Sequence, residues 1–208
     1  MSKHDNRRRA YAALSLLLQY PEHAVVKVIP GLREAATSMG ADEQRGFELF
    51  LQWFEGTPLL QAQSHYVDLF DRKRRACLYM SYYLNGDTRR RGMALVEFKD
   101  LYRAGGWEPR EHELPDFLPT LLQFCAVADV DAGEEVLASH RSGLVVLDTA
   151  LRDAKSPYHH LTEVLLHLVP AGQEAEEQAQ TLIAAGPPTE FVGLEPFSAV
   201  ETIGVGAR

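Results

Sequence analysis

Cysteine is scarce: Cys77 and Cys125 are the only two in 208 residues. They lie far apart, and neither belongs to a C-x-x-C pair. That excludes a disulfide framework, a zinc knuckle and an iron–sulfur ligand set, and it suits a reducing cytoplasm. Long apolar runs are also missing. None approaches the roughly 20 residues needed to cross a bilayer, so stable membrane insertion is not expected. The stretch from Arg7-Arg8-Arg9 to Leu18 imitates a twin-arginine export signal, but Gln19-Tyr20-Pro21-Glu22-His23 ends it without a small-residue cleavage site. We therefore read it as a first helix, capped by Asp5 or Asn6, with Tyr11, Leu14, Leu17 and Leu18 on its buried face. Positive charge is in deficit, with 21 Lys and Arg against 29 Asp and Glu and a net charge of −8. Such a field repels phosphate backbones, and nucleic acid is not an expected partner. Catalytic signatures are absent as well: no phosphate loop of the G-x-x-x-x-G-K-S/T type, no G-x-G-x-x-G, no G-x-S-x-G and no H-E-x-x-H.

What the chain does have is apolar content at helical spacing. Hydrophobic residues make up 46% and charged residues 24%, enough to offset the entropy of ordering one core. Thr57-Pro58 reads as a cap followed by a first-turn proline, and Leu59, Ala62, Tyr66, Leu69 and Phe70 then share one stripe. Leu95, Phe98, Leu101 and Tyr102 form a second stripe that stops at Gly105-Gly106. Asp116 is placed to cap a helix carrying Leu118, Leu121, Leu122 and Cys125. Leu137, His140, Leu144, Leu147 and Leu151 predict one long helix, and Ser156-Pro157 opens another carrying Leu161, Val164, Leu165 and Leu168. Residues 22–38 and 42–54 also read as helical, with Pro30-Gly31 breaking or kinking the first. Strand-like alternation is hard to find. The expected fold is a single all-α, bundle-like domain over residues 1–185. A Gly- and Pro-punctuated tail over 186–208 is expected to be extended or disordered.

Three groups could carry chemistry or binding. His160, Glu163 and His167 share a helix face and could offer two imidazoles and a carboxylate. Isolated histidines at this spacing are more often surface residues of a core helix, and no metal or other cofactor is expected. Arg72 to Arg75 and Arg89 to Arg91 are basic clusters that read first as solvated faces, the former complementing a helix C-terminus. The third group is a pair of stretches, Tyr66-Val67-Asp68-Leu69-Phe70-Asp71 and Glu113-Leu114-Pro115-Asp116-Phe117-Leu118-Pro119. Each combines aromatics or prolines with acids at a helix end. They read either as rigid structural joints or as parts of an apolar groove rimmed by acids that would suit a basic amphipathic peptide.

These two stretches also carry a family resemblance. The first resembles the Y-x-x-L-F signature of the redox-enzyme maturation chaperones (the TorD/DmsD-like superfamily), and Glu113-Leu114-Pro115-Asp116 resembles their E-x-P-D element. With His65 through Arg75 and Gly86 through Leu95 added, the chain is similar to the nitrate reductase delta-subunit, or NarJ-type, branch over roughly residues 8 to 170. Relatives often carry histidine after the E-x-P-D element. Phe117 stands there in this chain, so no role requiring imidazole is carried over.

The resemblance implies an all-helical, non-enzymatic chaperone in the cytoplasm. It would bind the N-terminal peptide of the nitrate reductase catalytic (alpha) subunit and permit insertion of the molybdenum cofactor and an iron–sulfur cluster. It would delay membrane docking until both are present, and molybdenum cofactor delivery proteins are further candidate partners. Carried over residue by residue, Tyr66, Leu69, Phe70 and Asp71 match the first element and Glu113, Pro115 and Asp116 the second. Together with Phe117 and Leu121 they are expected to shape or border the client groove, acids at its rim setting orientation. The competing readings are a metal-dependent helical enzyme built on His160, Glu163 and His167, and a DNA-binding regulator built on Arg72 to Arg75.

Overall fold

The computed structural model of the chain describes residues 3–37, 39–86, 88–109, 113–169 and 172–186. Its first helix, α1 (Lys3–Leu17), starts too early for Asp5 or Asn6 to cap it. Asp5 lies instead in the first turn, where a carboxylate meets the positive end of the helix dipole. The stripe does what its spacing requires: Tyr11, Leu14, Leu17 and Leu18 are all buried. Helix α1 packs chiefly on α7 (Leu118–Val127), and the Ser15 hydroxyl donates to the Pro119 carbonyl at 2.8 Å. Its polar end is held by Arg7 and Tyr11, both bonded to Glu134.

Helix α2 (His23–Ala36) continues through Pro30 without ending there. Proline removes one internal hydrogen bond, but Pro30 and Val26, whose carbonyl loses its partner, both face water. Arg33 ties α2 to α3 (Ala41–Gly56) through Glu48 at 2.9 Å and Glu55 at 2.8 Å. The Thr57 hydroxyl donates back to the Trp53 carbonyl, so it closes α3 and does not cap α4 (Leu59–Tyr66). Helix α4 then widens into a π-helical turn, Val67–Asp71, followed by a single 3-10 turn, Arg74–Ala76.

Two short-range elements follow: α5 (Met80–Asn85) and α6 (Arg89–Ala104). Helix α6 ends as its sequence predicts. Gly106 adopts φ 64°, while the amides of Gly105 and Trp107 return to the carbonyls of Leu101 and Tyr102. After α7 come α8 (Val130–Ser139), α9 (Arg141–Asp153), α10 (His159–Leu168) and α11 (Gln173–Ala185). Asp129 caps α8 by accepting from the amides of Asp131 and Ala132.

The expected single helix through His140 is in fact two. The Val136 carbonyl receives the Ser139 hydroxyl at 2.8 Å and lies 3.0 Å from the His140 ring nitrogen, so side chains close α8 at its last turn. His140 leaves helical geometry at φ −103° and ψ 11°, and its carbonyl accepts the amides that start α9. Helix α11, which the periodicity reading did not single out, packs on α9. There the buried Arg141 gathers the carbonyls of Leu166 and Val169 together with Glu176, satisfying the free end of α10. Apart from Gly186, the tail expected over 186–208 lies outside the described residues.

Aromatic side chains fill the centre. Tyr158, fully buried, meets Phe50 at 4.9 Å and Phe70 at 5.0 Å between ring centroids. Among the described residues there is no β-strand, only an isolated antiparallel bridge between Tyr79 and Phe117. No described helix is long and apolar enough to cross a membrane. The protein is an all-helical single domain.

Candidate functional site

The two acidic–aromatic stretches are far apart in sequence, yet the fold brings them together around Tyr79. The segment 78–80 runs alongside 116–118: the Met80 amide donates to the Asp116 carbonyl at 2.9 Å, and the Leu118 amide to the Leu78 carbonyl at 2.7 Å. This backbone pairing brings the Tyr79 and Phe117 rings to 5.4 Å. Burial raises the Tyr79 phenol above its ordinary value, and the carboxylates of Glu113, Asp116 and Asp71 raise it further. Tyr66 is raised too, by burial first, with smaller effects from Tyr158, Asp71, Tyr79 and Glu113. Asp71 from the first stretch and Glu113 from the second therefore act on the same two tyrosines.

Most of the residues singled out by sequence support this surface from beneath. Tyr66, Leu69 and Phe70 are buried, with the Tyr66 hydroxyl donating to the Leu18 carbonyl at 3.1 Å. The π-helical turn carries Leu69 and Phe70 inward and leaves Asp71 exposed. Pro115 and Leu121 are buried, and Tyr102 donates to the Pro115 carbonyl at 2.6 Å. Phe117 is half-buried, and Glu113 is exposed. In this conformation a partner could reach Asp71, Glu113 and Phe117 but not Tyr66, Leu69, Phe70 or Leu121.

Asp116 is the clearest departure from expectation. It does not cap α7. Fully buried, its carboxylate accepts from the Ser81 amide at 3.3 Å and the Ser81 hydroxyl at 2.5 Å. It thus serves, across 35 residues, the orphan amide and positive dipole end of α5. Arg91 approaches the same oxygen at 3.8 Å, with its guanidinium 5.7 Å from the Tyr79 ring centroid and 5.9 Å from that of Tyr82. The basic cluster at 89–91 is consequently not one face: Arg89 and Arg90 are exposed, while Arg91 turns inward.

Sequence reasoning missed Tyr79, which bridges the two stretches, and the exposed apolar Tyr20 beside them; Leu114, within the second stretch, is also exposed. Tyr20 stands edge-on to Tyr66 at 5.6 Å. Only the three-dimensional pairing of 78–80 with 116–118 distinguishes Tyr79 from the chain's other tyrosines.

The two remaining groups lie elsewhere. Arg72, Lys73, Arg74 and Arg75 line a cavity of about 530 Å³ with Ala150, Asp153 and Ala154. Arg72 pairs with Asp68 at 2.6 Å, and Arg75 donates to the Ile183 carbonyl. On α10, His159, His160 and Glu163 cluster, whereas His167 is not part of the group.

Sequence comparison gives this all-helical domain its class. The family model described as nitrate reductase delta subunit matches residues 32–162. The probable nitrate reductase molybdenum cofactor assembly chaperone NarJ of Bacillus subtilis (strain 168) is 32% identical over 164 residues, covering 77% of this chain and 88% of that protein. The nitrate reductase molybdenum cofactor assembly chaperone NarJ of Escherichia coli (strain K12) is 28% identical over 172 residues, covering 81% and 73%. A nitrate reductase-like protein, NarX of Mycobacterium tuberculosis (strain ATCC 25618 / H37Rv), is 43% identical over 101 residues, which are 49% of this chain and 16% of that protein. The chain belongs to the nitrate reductase delta subunit family, whose matched relatives over most of its length are assembly chaperones and not enzymes.

Proposed function

We propose that this chain is a cytoplasmic chaperone of the NarJ type that assists molybdenum cofactor assembly of nitrate reductase. In this reading it binds the N-terminal segment of the catalytic (alpha) subunit and holds the immature subunit while the molybdenum cofactor and an iron–sulfur cluster are inserted. The chaperone makes and breaks no bond. Its contribution is occupancy of the client, which delays membrane docking.

The observation that carries the reading is that Asp71 and Glu113, both exposed and from different stretches, act on the half-buried Tyr79, whose ring packs against Phe117. Leu114 and Tyr20 extend the apolar surface. A basic amphipathic client helix would lay its apolar face on these side chains while its cations meet the two carboxylates. The charges fix orientation and speed encounter more than they add affinity. Tyr66, Leu69, Phe70, Pro115, Asp116 and Leu121 hold the surface in place without touching the client.

Calorimetry with the catalytic subunit's N-terminal peptide tests this. Saturable binding is expected, weakened about tenfold in the Asp71→Lys, Glu113→Lys double variant at low salt, equivalent to about 1.4 kcal/mol. Both positions are exposed, so the variant's helical circular dichroism should match that of the parent. Absence of heat and of amide chemical-shift change at saturating peptide would overturn the reading.

A further inference from the structure

The N-terminal half of α10 presents three metal-ligating side chains that the chaperone reading does not use. His159, His160 and Glu163 each offer one donor atom, and the three donors lie within 4.8 Å of one another. Tetrahedral ligands at zinc-type bond lengths of about 2.0–2.1 Å sit about 3.4 Å apart, so small rotamer adjustments would close the set. The two imidazoles already lie 3.9 Å apart between centroids, their planes tilted by 45°. His159 Nδ1 is buried without a hydrogen-bond partner. That leaves a ring nitrogen whose desolvation no group among the described residues offsets. A cavity of about 370 Å³, lined by Arg152, Lys155, Pro157, His159 and His160, opens beside the rings and gives a path and room for a water ligand.

We propose that His159, His160 and Glu163 form a three-ligand site for a zinc-class divalent transition metal, with its fourth position open to this cavity. Two imidazoles and a carboxylate favour zinc, nickel or cobalt over magnesium or calcium, which take oxygen ligands. The competitor is Arg152, 3.3 Å from Glu163. It has a second carboxylate, Asp148, at 2.7 Å, so a metal can take Glu163 without leaving the guanidinium unpartnered. The sequence pattern pointed to His160, Glu163 and His167; the fold substitutes His159 for His167.

Titration of the metal-stripped full chain with zinc chloride, read by calorimetry, and with cobalt, read by its visible absorption, tests the site. One equivalent per chain is expected, with a tetrahedral or five-coordinate cobalt spectrum. His160→Ala and Glu163→Gln should each weaken zinc at least about tenfold. Arg152→Gln, which releases Glu163, should strengthen it, and His167→Ala should leave it unchanged. Glu163 is only partly buried, so its variant answers the question even if a histidine variant misfolds. Absence of saturable binding overturns the proposal, as does zinc affinity indifferent to Glu163→Gln or dependent on His167.

Discussion

Replacement of Asp116 by alanine measures how firmly the second acidic–aromatic stretch is joined to α5. The change leaves the backbone pairing through the Asp116 carbonyl intact and removes the carboxylate. Its two hydrogen bonds go to Ser81, which is fully buried, so the Ser81 amide and hydroxyl would be stranded away from water. A hydrogen bond to a charged group contributes about 1.5–3 kcal/mol, and breaking a buried charged network from one side costs about 3–5 kcal/mol. The Arg91 contact is long, at 3.8 Å, and Arg91 keeps its aromatic neighbours, which places the expected cost near the lower bound, about 3 kcal/mol. With an m-value of about 3 kcal/mol per molar urea, the unfolding midpoint should fall by about 1 M at unchanged slope. A double-mutant cycle with Ser81→Ala isolates the bond: the second substitution should cost clearly less on the Asp116→Ala background, with a coupling of about 1–3 kcal/mol. A loss below about 1 kcal/mol, or additive single effects, would refute the assignment of Asp116 as the cross-chain cap of α5.

Other expectations follow from the packing. Gly143→Ala places a methyl carbon 3.0 Å from Cβ and Cδ2 of Tyr83, whose hydroxyl is fixed to the Arg75 and Cys77 carbonyls. Thermal unfolding should show a loss of about 1–3 kcal/mol. Tyr66→Phe deletes a buried hydroxyl bonded to Leu18, which should cost about 1 kcal/mol in urea while leaving peptide affinity unchanged. A large affinity loss would mean that the hydroxyl reaches the client. Burial depresses the His140 imidazole from its ordinary value of 6.5. The stability it confers is present in full above 6.5 and is lost as the pH falls below that value through the depressed native one. His140→Gln should flatten the acid limb of the stability–pH curve, and an unchanged limb would assign the dependence to other groups.

How much of this was legible in the sequence depends on how local each determinant is. Apolar stripes act within a few turns, so Tyr11, Leu14, Leu17 and Leu18, or Phe98 and Tyr102, were correctly set to the inside. The glycine stop after α6 is equally local. Departures occur where side chains choose between partners. Spacing cannot tell whether Asp116 caps the helix two residues ahead or one 35 residues behind, because both need a carboxylate at an amide end. Nor does the Leu137–Leu151 periodicity reveal that Ser139 and His140 end α8.

The site follows the same division. Family resemblance draws attention to Tyr66, Leu69, Phe70 and Asp116, yet these are buried joints, and variants there would lose client binding through instability as readily as through lost contact. In the proposed reading, the positions that separate recognition from folding are the exposed acids Asp71 and Glu113. They carry charge, sit on opposite stretches, and make no contribution to the core. Charge reversal at these two positions is therefore the sharper experiment: it changes what a basic segment would meet on arrival, while the buried packing of Tyr66 and Phe70 and the Tyr79–Phe117 contact stay as they were.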